Sequence, residues 1–148
     1  MKKILLFILL SFCSTVFSQV PVSSSMLVGT KWVDVSDFNS DFGYETYYSF
    51  SKSCMIWTES RDRSFSSSYK YYLSDSKPTR YDKSKVGKVS RGSYLVQYNE
   101  KTDDLVFFTI KQFNKKTGHM QLLYEPNPQR KRLGNDTYTL YELKLVKK

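Results

Sequence analysis

Eight short runs of β-forming residues, each closed off by turn residues, leave this chain little room for anything but a β fold. They lie near Thr30–Val35, Tyr44–Phe50, Cys54–Glu59, Tyr69–Leu73, Ser93–Tyr98, Leu105–Ile110, Met120–Tyr124 and Thr137–Val146. Tyr, Phe, Val, Ile, Leu and Thr fill them, and these residues suit a pleated, half-buried surface. Tyr44, Thr46, Tyr48 and Phe50 fall on one face, as do Tyr94, Val96 and Tyr98, and Met120, Leu122 and Tyr124. Such alternation gives a strand one wet and one dry face. Leu105 to Ile110 is apolar on both faces, which predicts a strand covered on both sides or leaning on a partner. No window sustains an apolar stripe at helical spacing.

The punctuation fits a meander. Asn99 to Asp103 and Asn114 to Gly118 read as hairpin loops, and Leu133 to Asp136 as a turn into the last strand. Arg61 to Arg91 is the weakly patterned part, rich in Ser, Lys and Asp, with Pro78 and Gly87. It predicts a long loop or irregular edge strands. Consecutive antiparallel strands protect their edges best by closing on themselves. The expectation is therefore an all-β chain forming a single antiparallel up-and-down barrel of about eight strands. The interior of such a barrel holds packed side chains or one small ligand.

Met1 to Ser18 has the order of a secretory signal peptide: Lys2 and Lys3, the apolar run Ile4 to Leu10, and Val16-Phe17-Ser18 before a cleavage point at Gln19. The apolar run is too short to span a membrane. The division expected is a signal peptide at 1–18, a flexible lead-in at 19–26 and the barrel domain at 27–148. Cys13 leaves with the signal peptide, so Cys54 stands alone and stability must come from the core. Lipid anchoring at Cys13 would normally require a small residue before it, and Phe12 stands there. An exported protein free of a lipid anchor, periplasmic or extracellular, is the favoured reading. Cys54 lies in an apolar run and reads as a buried, inert thiol.

Leu27-Val28-Gly29-Thr30-Lys31-Trp32, with Tyr48-Ser49-Phe50, Gly92-Ser93-Tyr94 and Tyr138 to Leu143, resembles the layout of small lipocalin-like β-barrel proteins exported by bacteria. Thr30 and Lys31 separate Gly29 from Trp32, where the founding lipocalins have one residue. The resemblance implies a lipocalin-like barrel, Trp32 as a structural plug at its closed end, and the binding of small apolar molecules.

The chemistry-bearing residues are few. His119 is the only histidine and sits at a hairpin turn, so no zinc set of the usual type can be assembled. No Gly-x-Ser-x-Gly elbow is present, and no two carboxylates are paired by sequence. Asp37 to Gly43 starts like a calcium loop but has Phe42 and Tyr48 where an EF-hand needs Gly and Glu. No catalytic residue, metal or cofactor is assigned, and the chain reads as a non-enzymatic binding protein. Without the signal peptide the net charge of +9 falls to +7. Export makes nucleic acid a poor partner for that charge; a small apolar molecule and an acidic glycan are the better candidates. Arg130, Lys131 and Arg132 form the densest basic cluster and are the candidate anion-binding residues. Of the aromatics, Tyr48, Phe50, Trp57 and Tyr94 are the candidate pocket lining. The second reading keeps the interior packed shut and gives binding of a glycan or protein to the outer surface. N-terminal sequencing of the exported protein should begin at Gln19; retention of Met1 would overturn the signal-peptide reading.

Overall fold

The computed structural model describes residues 19–36, 43–60, 66–101, 103–126 and 137–147. Their framework is a closed antiparallel barrel built from β2 (Lys31–Asp34), β3 (Thr46–Phe50), β4 (Cys54–Glu59), β5 (Ser66–Ser74), β7 (Tyr94–Asn99), β8 (Asp104–Asn114), β9 (His119–Tyr124) and β10 (Thr139–Leu145). Each strand pairs with the next, and β10 returns to β2 through Leu143↔Asp34, Lys144↔Val33 and Leu145↔Trp32. The fold is thus the all-β, eight-stranded barrel that the alternation predicts. Residues 1–18, expected from sequence to be a signal peptide, and most of Asp37 to Gly43 lie outside the described residues.

Pairing fixes which side chains face inward. Trp32, Tyr48 and Trp57 oppose one another across β2, β3 and β4, and Leu73, Leu95 and Phe108 do so across β5, β7 and β8. The core joins Trp32, Phe50, Met55, Tyr71, Leu73, Leu95, Ile110, Met120, Leu122 and Leu143, all at most 3% exposed. Burying each such side chain is worth about 1.5–3 kcal/mol. A β-bulge between Ile110 and Gln112 shifts the period of β8, so that both Ile110 and Phe113 reach the core. The loops behave as their residues dictate. Asn99 Oδ1 accepts from the Lys101 N–H at 3.0 Å, and Asn114 Oδ1 accepts from the N–H groups of Lys116 and Thr117 at 3.0 and 3.1 Å.

The segment read as a flexible lead-in is instead a strap. β1 (Val22–Ser23) pairs with β6 (Arg91–Gly92), and α1 (Ser24–Leu27), a single helical turn, follows it. Val22 and Leu27 are buried in the core, the Val20 N–H donates to the Ile110 carbonyl, and the Ser24 N–H donates to that of Ser90. Pro21 and the run of serines carry no strand pattern, yet two apolar side chains among them suffice to anchor the segment. Gly92 sets the spacing. A Cβ there would lie 2.1 Å from the Ser74 backbone, so β6 approaches β5 as only glycine allows.

Residues 75–90 cover the outer face of the sheet. Tyr72, Val96 and Phe107 point away from the barrel interior, yet each is at most 3% exposed. Tyr81 stacks on Tyr98 with ring centroids 4.2 Å apart and leans on Tyr72 at 5.9 Å. Lys77 pins this cover to the barrel through Glu125, at 2.6 Å, and Thr109 donates to the same carboxylate. Of the two alternatives for Leu105 to Ile110, the structure takes cover on both sides. Cys54 corrects another expectation. It begins β4 opposite Lys70, alternates with inward Met55, and is half-buried rather than sealed in the core.

Gly92→Ala should destabilise the chain by about 3 kcal/mol, the upper end for overpacking, because backbone rather than a flexible side chain stands in the way. Chemical denaturation checks this, with Gly43→Ala as the comparison, since the space there is open although its φ is positive.

Candidate functional site

The barrel interior is not uniform. Around Trp32 the packing is tightest: its fully buried ring lies 5.9 Å from that of half-buried Phe113, its indole N–H donates to Thr30 Oγ1 at 2.8 Å, and Leu27 of the strap is fully buried in the same core. Phe50 belongs to this dense region and meets Tyr71 edge-on at 5.4 Å, while the Tyr71 hydroxyl donates to the Ser51 carbonyl at 2.9 Å.

Further along the interior the side chains acquire polar tips. Tyr48 on β3 is the hub. The Trp57 indole donates to its hydroxyl, and the Asp34 carboxylate and the hydroxyls of Tyr69 and Tyr141 lie near enough to act on it electrostatically. Strands β2, β4, β5 and β10 thus each place one residue within electrostatic or hydrogen-bonding range of Tyr48 on β3. Asp34 is buried and oriented from its own chain, since its Oδ1 accepts from the N–H and hydroxyl of Ser36 at 2.9 and 2.7 Å. Gln97 adds a buried amide that donates to Met55 Sδ at 3.0 Å, and Thr46 a buried hydroxyl. Burial first, and the negative charge of Asp34 second, hold the Tyr48 hydroxyl well above the usual range of tyrosine.

Solvent reaches this region. Trp57, Tyr69, Phe108 and Tyr141 all pack against the core from inside, and all are only half-buried. An inward side chain of a closed barrel can meet water only along the interior or through an end.

The expected lining residues therefore separate. Tyr48 and Trp57 are brought together in the polar-tipped region, whereas Phe50 is packed into the dense one. Tyr94 is a correction: it alternates with inward Leu95, pairs with Ser74 and Thr109, and lies on the outer face, where its hydroxyl accepts from Gln19 Nε2 at 3.0 Å. Arg130, Lys131 and Arg132 lie outside the described residues. His119 begins β9 between Asn114 and Lys144. Among the described residues no group of three or more His, Cys, Asp or Glu is placed to hold a metal ion. No described helix is long and apolar enough to cross a membrane. Asp34, Tyr69 and Tyr141 were not singled out from sequence. The alternation of Tyr141 with Leu143 and Leu145 was the available signal for one of them.

No family model, no curated protein and no solved structure matches this chain.

The tyrosines give a direct check. An acid whose pKa is raised on folding contributes stability that is present below its unfolded pKa and lost as pH rises beyond it. Stability should therefore fall above about pH 10, where free tyrosine ionises. Ultraviolet difference absorbance should show Tyr71 and Tyr81, both pushed up to about 12 by burial, ionising late, and Tyr48 only as the chain unfolds. Tyr48→Phe should flatten the alkaline loss of stability in denaturation experiments.

Proposed function

We propose that this chain is an exported, non-enzymatic, lipocalin-like carrier that takes a small amphipathic molecule into the part of the barrel around Tyr48. The observation that carries this reading is the half-exposed, inward-facing set Trp57, Tyr69, Phe108 and Tyr141. A barrel interior serving only as a core gains most by burying such rings fully, as it does for Trp32. Aromatic faces supply apolar contact, and hydroxyls, an indole N–H and a carboxylate supply orientation, which is the usual composition of a small-molecule site. The part of a ligand resting on the rings is apolar, and the part meeting Tyr48, Tyr69 and Tyr141 is a hydrogen-bonding group. The cluster performs no chemistry in this proposal. Burial keeps the Tyr48 hydroxyl neutral at physiological pH, and the lone histidine lies on another part of the chain.

Native and denaturing mass spectra of protein purified without detergent from its own host test the proposal. An extra mass that vanishes on denaturation supports a carried ligand and identifies its size. Titration with neutral N-phenylnaphthylamine gives a second readout: saturable emission is expected, quenched in step with Trp57 in a Trp32→Phe background. Trp57→Ala should weaken that binding about tenfold or more, the effect of losing a central aromatic contact. Unchanged affinity in Trp57→Ala would sink the site assignment, and absence of both ligand mass and dye binding would sink the carrier reading.

A further inference from the structure

The excursion between β5 and β7 does more than cover the sheet. Ser74, Asp75, Lys85, Lys88, Ser90 and Arg91 line an open cleft of about 430 Å³ on the flank of the barrel. That volume falls within the range of small-molecule sites, about 300–1,000 Å³. It is separate from the interior around Tyr48: of its lining, Leu73 alone also belongs to the core.

Residues 75–91 hold six Lys and Arg against two acids, Asp75 and Asp82. Only some of that charge is answered nearby. Lys77 meets Glu125 at 2.6 Å, and Lys85 stands 3.9 Å from Asp82 and 5.6 Å over the Tyr72 ring. Among the described residues neither the Lys88 ammonium nor the Arg91 guanidinium has an ion-pair partner. Both line the cleft and both are exposed. The backbone of Arg91 is held in place. Arg91 is paired with Ser23 in the β1–β6 ribbon, and Gly92 holds that ribbon against Ser74.

The floor and rim narrow the ligand further. Ser90 Oγ accepts from the Leu73 N–H at 3.1 Å, which leaves its own hydrogen to donate into the cleft. Ser74 and Ser76 add polar wall, and Asp75 contributes an acceptor. A bare sulfate ion needs donors alone and would be repelled by Asp75, and a hydrogen phosphate has an O–H for Asp75 but nothing for the apolar rim. A molecule carrying both an oxyanion and hydroxyl groups satisfies the whole set, the cations taking the oxyanion and Asp75 a hydroxyl. Val89, 77% exposed beside Lys88, offers an apolar surface for the C–H face of a ring. We propose that this cleft is a binding site for an acidic saccharide, a sugar bearing a carboxylate or a sulfate ester, and that it works independently of the barrel interior.

Isothermal titration and amide chemical shifts of the mature chain test this with three probes: a uronic acid disaccharide, a neutral disaccharide and inorganic phosphate. Expected is saturable binding of the acidic disaccharide, with shifts centred on Val89 and Ser90, and much weaker binding of the other two. Lys88→Glu with Arg91→Glu should cost about tenfold or more in affinity, the scale of a lost charge-assisted hydrogen bond. Lys115→Glu with Lys116→Glu, an equal charge change in the exposed β8–β9 loop, should cost less than about twofold, since distant exposed charges are screened by salt. Val89→Asp, a change on the exposed tip, should also weaken binding. Equal losses in the two double variants would reduce the effect to diffuse charge and overturn the site. Phosphate binding as tight as the disaccharide would overturn the saccharide assignment, and so would no binding of the disaccharide.

Discussion

Closure of β10 on β2 is the constraint on which the rest of this structure depends. Three residue pairs form the seam, and it is extended by the Val35 N–H donating to the Glu142 carbonyl and the Val146 N–H donating to that of Lys31. Without it the sheet would have two open edges, each a row of unpaired backbone groups able to recruit another chain. The seam also joins the first barrel strand to the last, so its formation requires nearly all of the chain from Lys31 to Leu145 to be in register. The entropy of bringing such distant segments together grows only slowly with the intervening length, but it must be met before the contacts reward it. Cys54, the one cysteine among the described residues, is free, so backbone pairing at this seam does without a covalent cross-link there.

Once the barrel is closed, inside and outside become chemically distinct. The strap from Val20 to Leu27 and the Trp32 ring fill the interior together, and a packed region of this kind holds the strands at fixed distances for the polar-tipped region beyond it. The outer face divides too. Over β5, β7 and β8 it is apolar, with Tyr72, Val96 and Phe107, and so needed a second layer. Residues 75–90 provide that layer with little regular structure of their own. Tyr81 and Lys77 do most of the fastening, one by ring stacking and one by an ion pair that also lays its ammonium 5.2 Å from the Phe107 ring.

Strand existence was legible in the sequence because it rests on local pattern; strand ends were not. Leu105–Ile110 stops where the bulge at Lys111 breaks the alternation, although β8 runs on to Asn114. Ser66 to Ser68 begin β5 without any β-forming residue, held by pairing with Ile56, Trp57 and Thr58 rather than by propensity. Tyr94, Val96 and Tyr98 shared a face as expected, but it is the outer one. Apolar residues on both faces of β7 left the inward choice to neighbours distant in sequence. Asp34 was hidden for another reason. A carboxylate two residues after Trp32 is inward by period, yet a buried acid runs against composition, and the local turn in which the N–H and hydroxyl of Ser36 satisfy it leaves no mark on the alternation.

The two proposed sites differ in the force that would run them, and this follows from where the barrel puts charge. Around Tyr48 the groups are partly or wholly buried and mostly neutral, so the gain would come from apolar contact and from oriented hydrogen bonds. At Lys88 and Arg91 the charges are exposed, and their reach extends only about 8–10 Å at physiological ionic strength. Raising the salt concentration therefore acts on one site and leaves the other nearly untouched. The chain's large positive charge does not by itself argue for either site, since most of its Lys and Arg serve solvation. What separates Lys88 and Arg91 from that background is their place on one cleft. A cleft, a glycine-set ribbon and a serine floor turn two surface charges into a directional arrangement, just as the closed barrel turns scattered aromatic residues into a common lining.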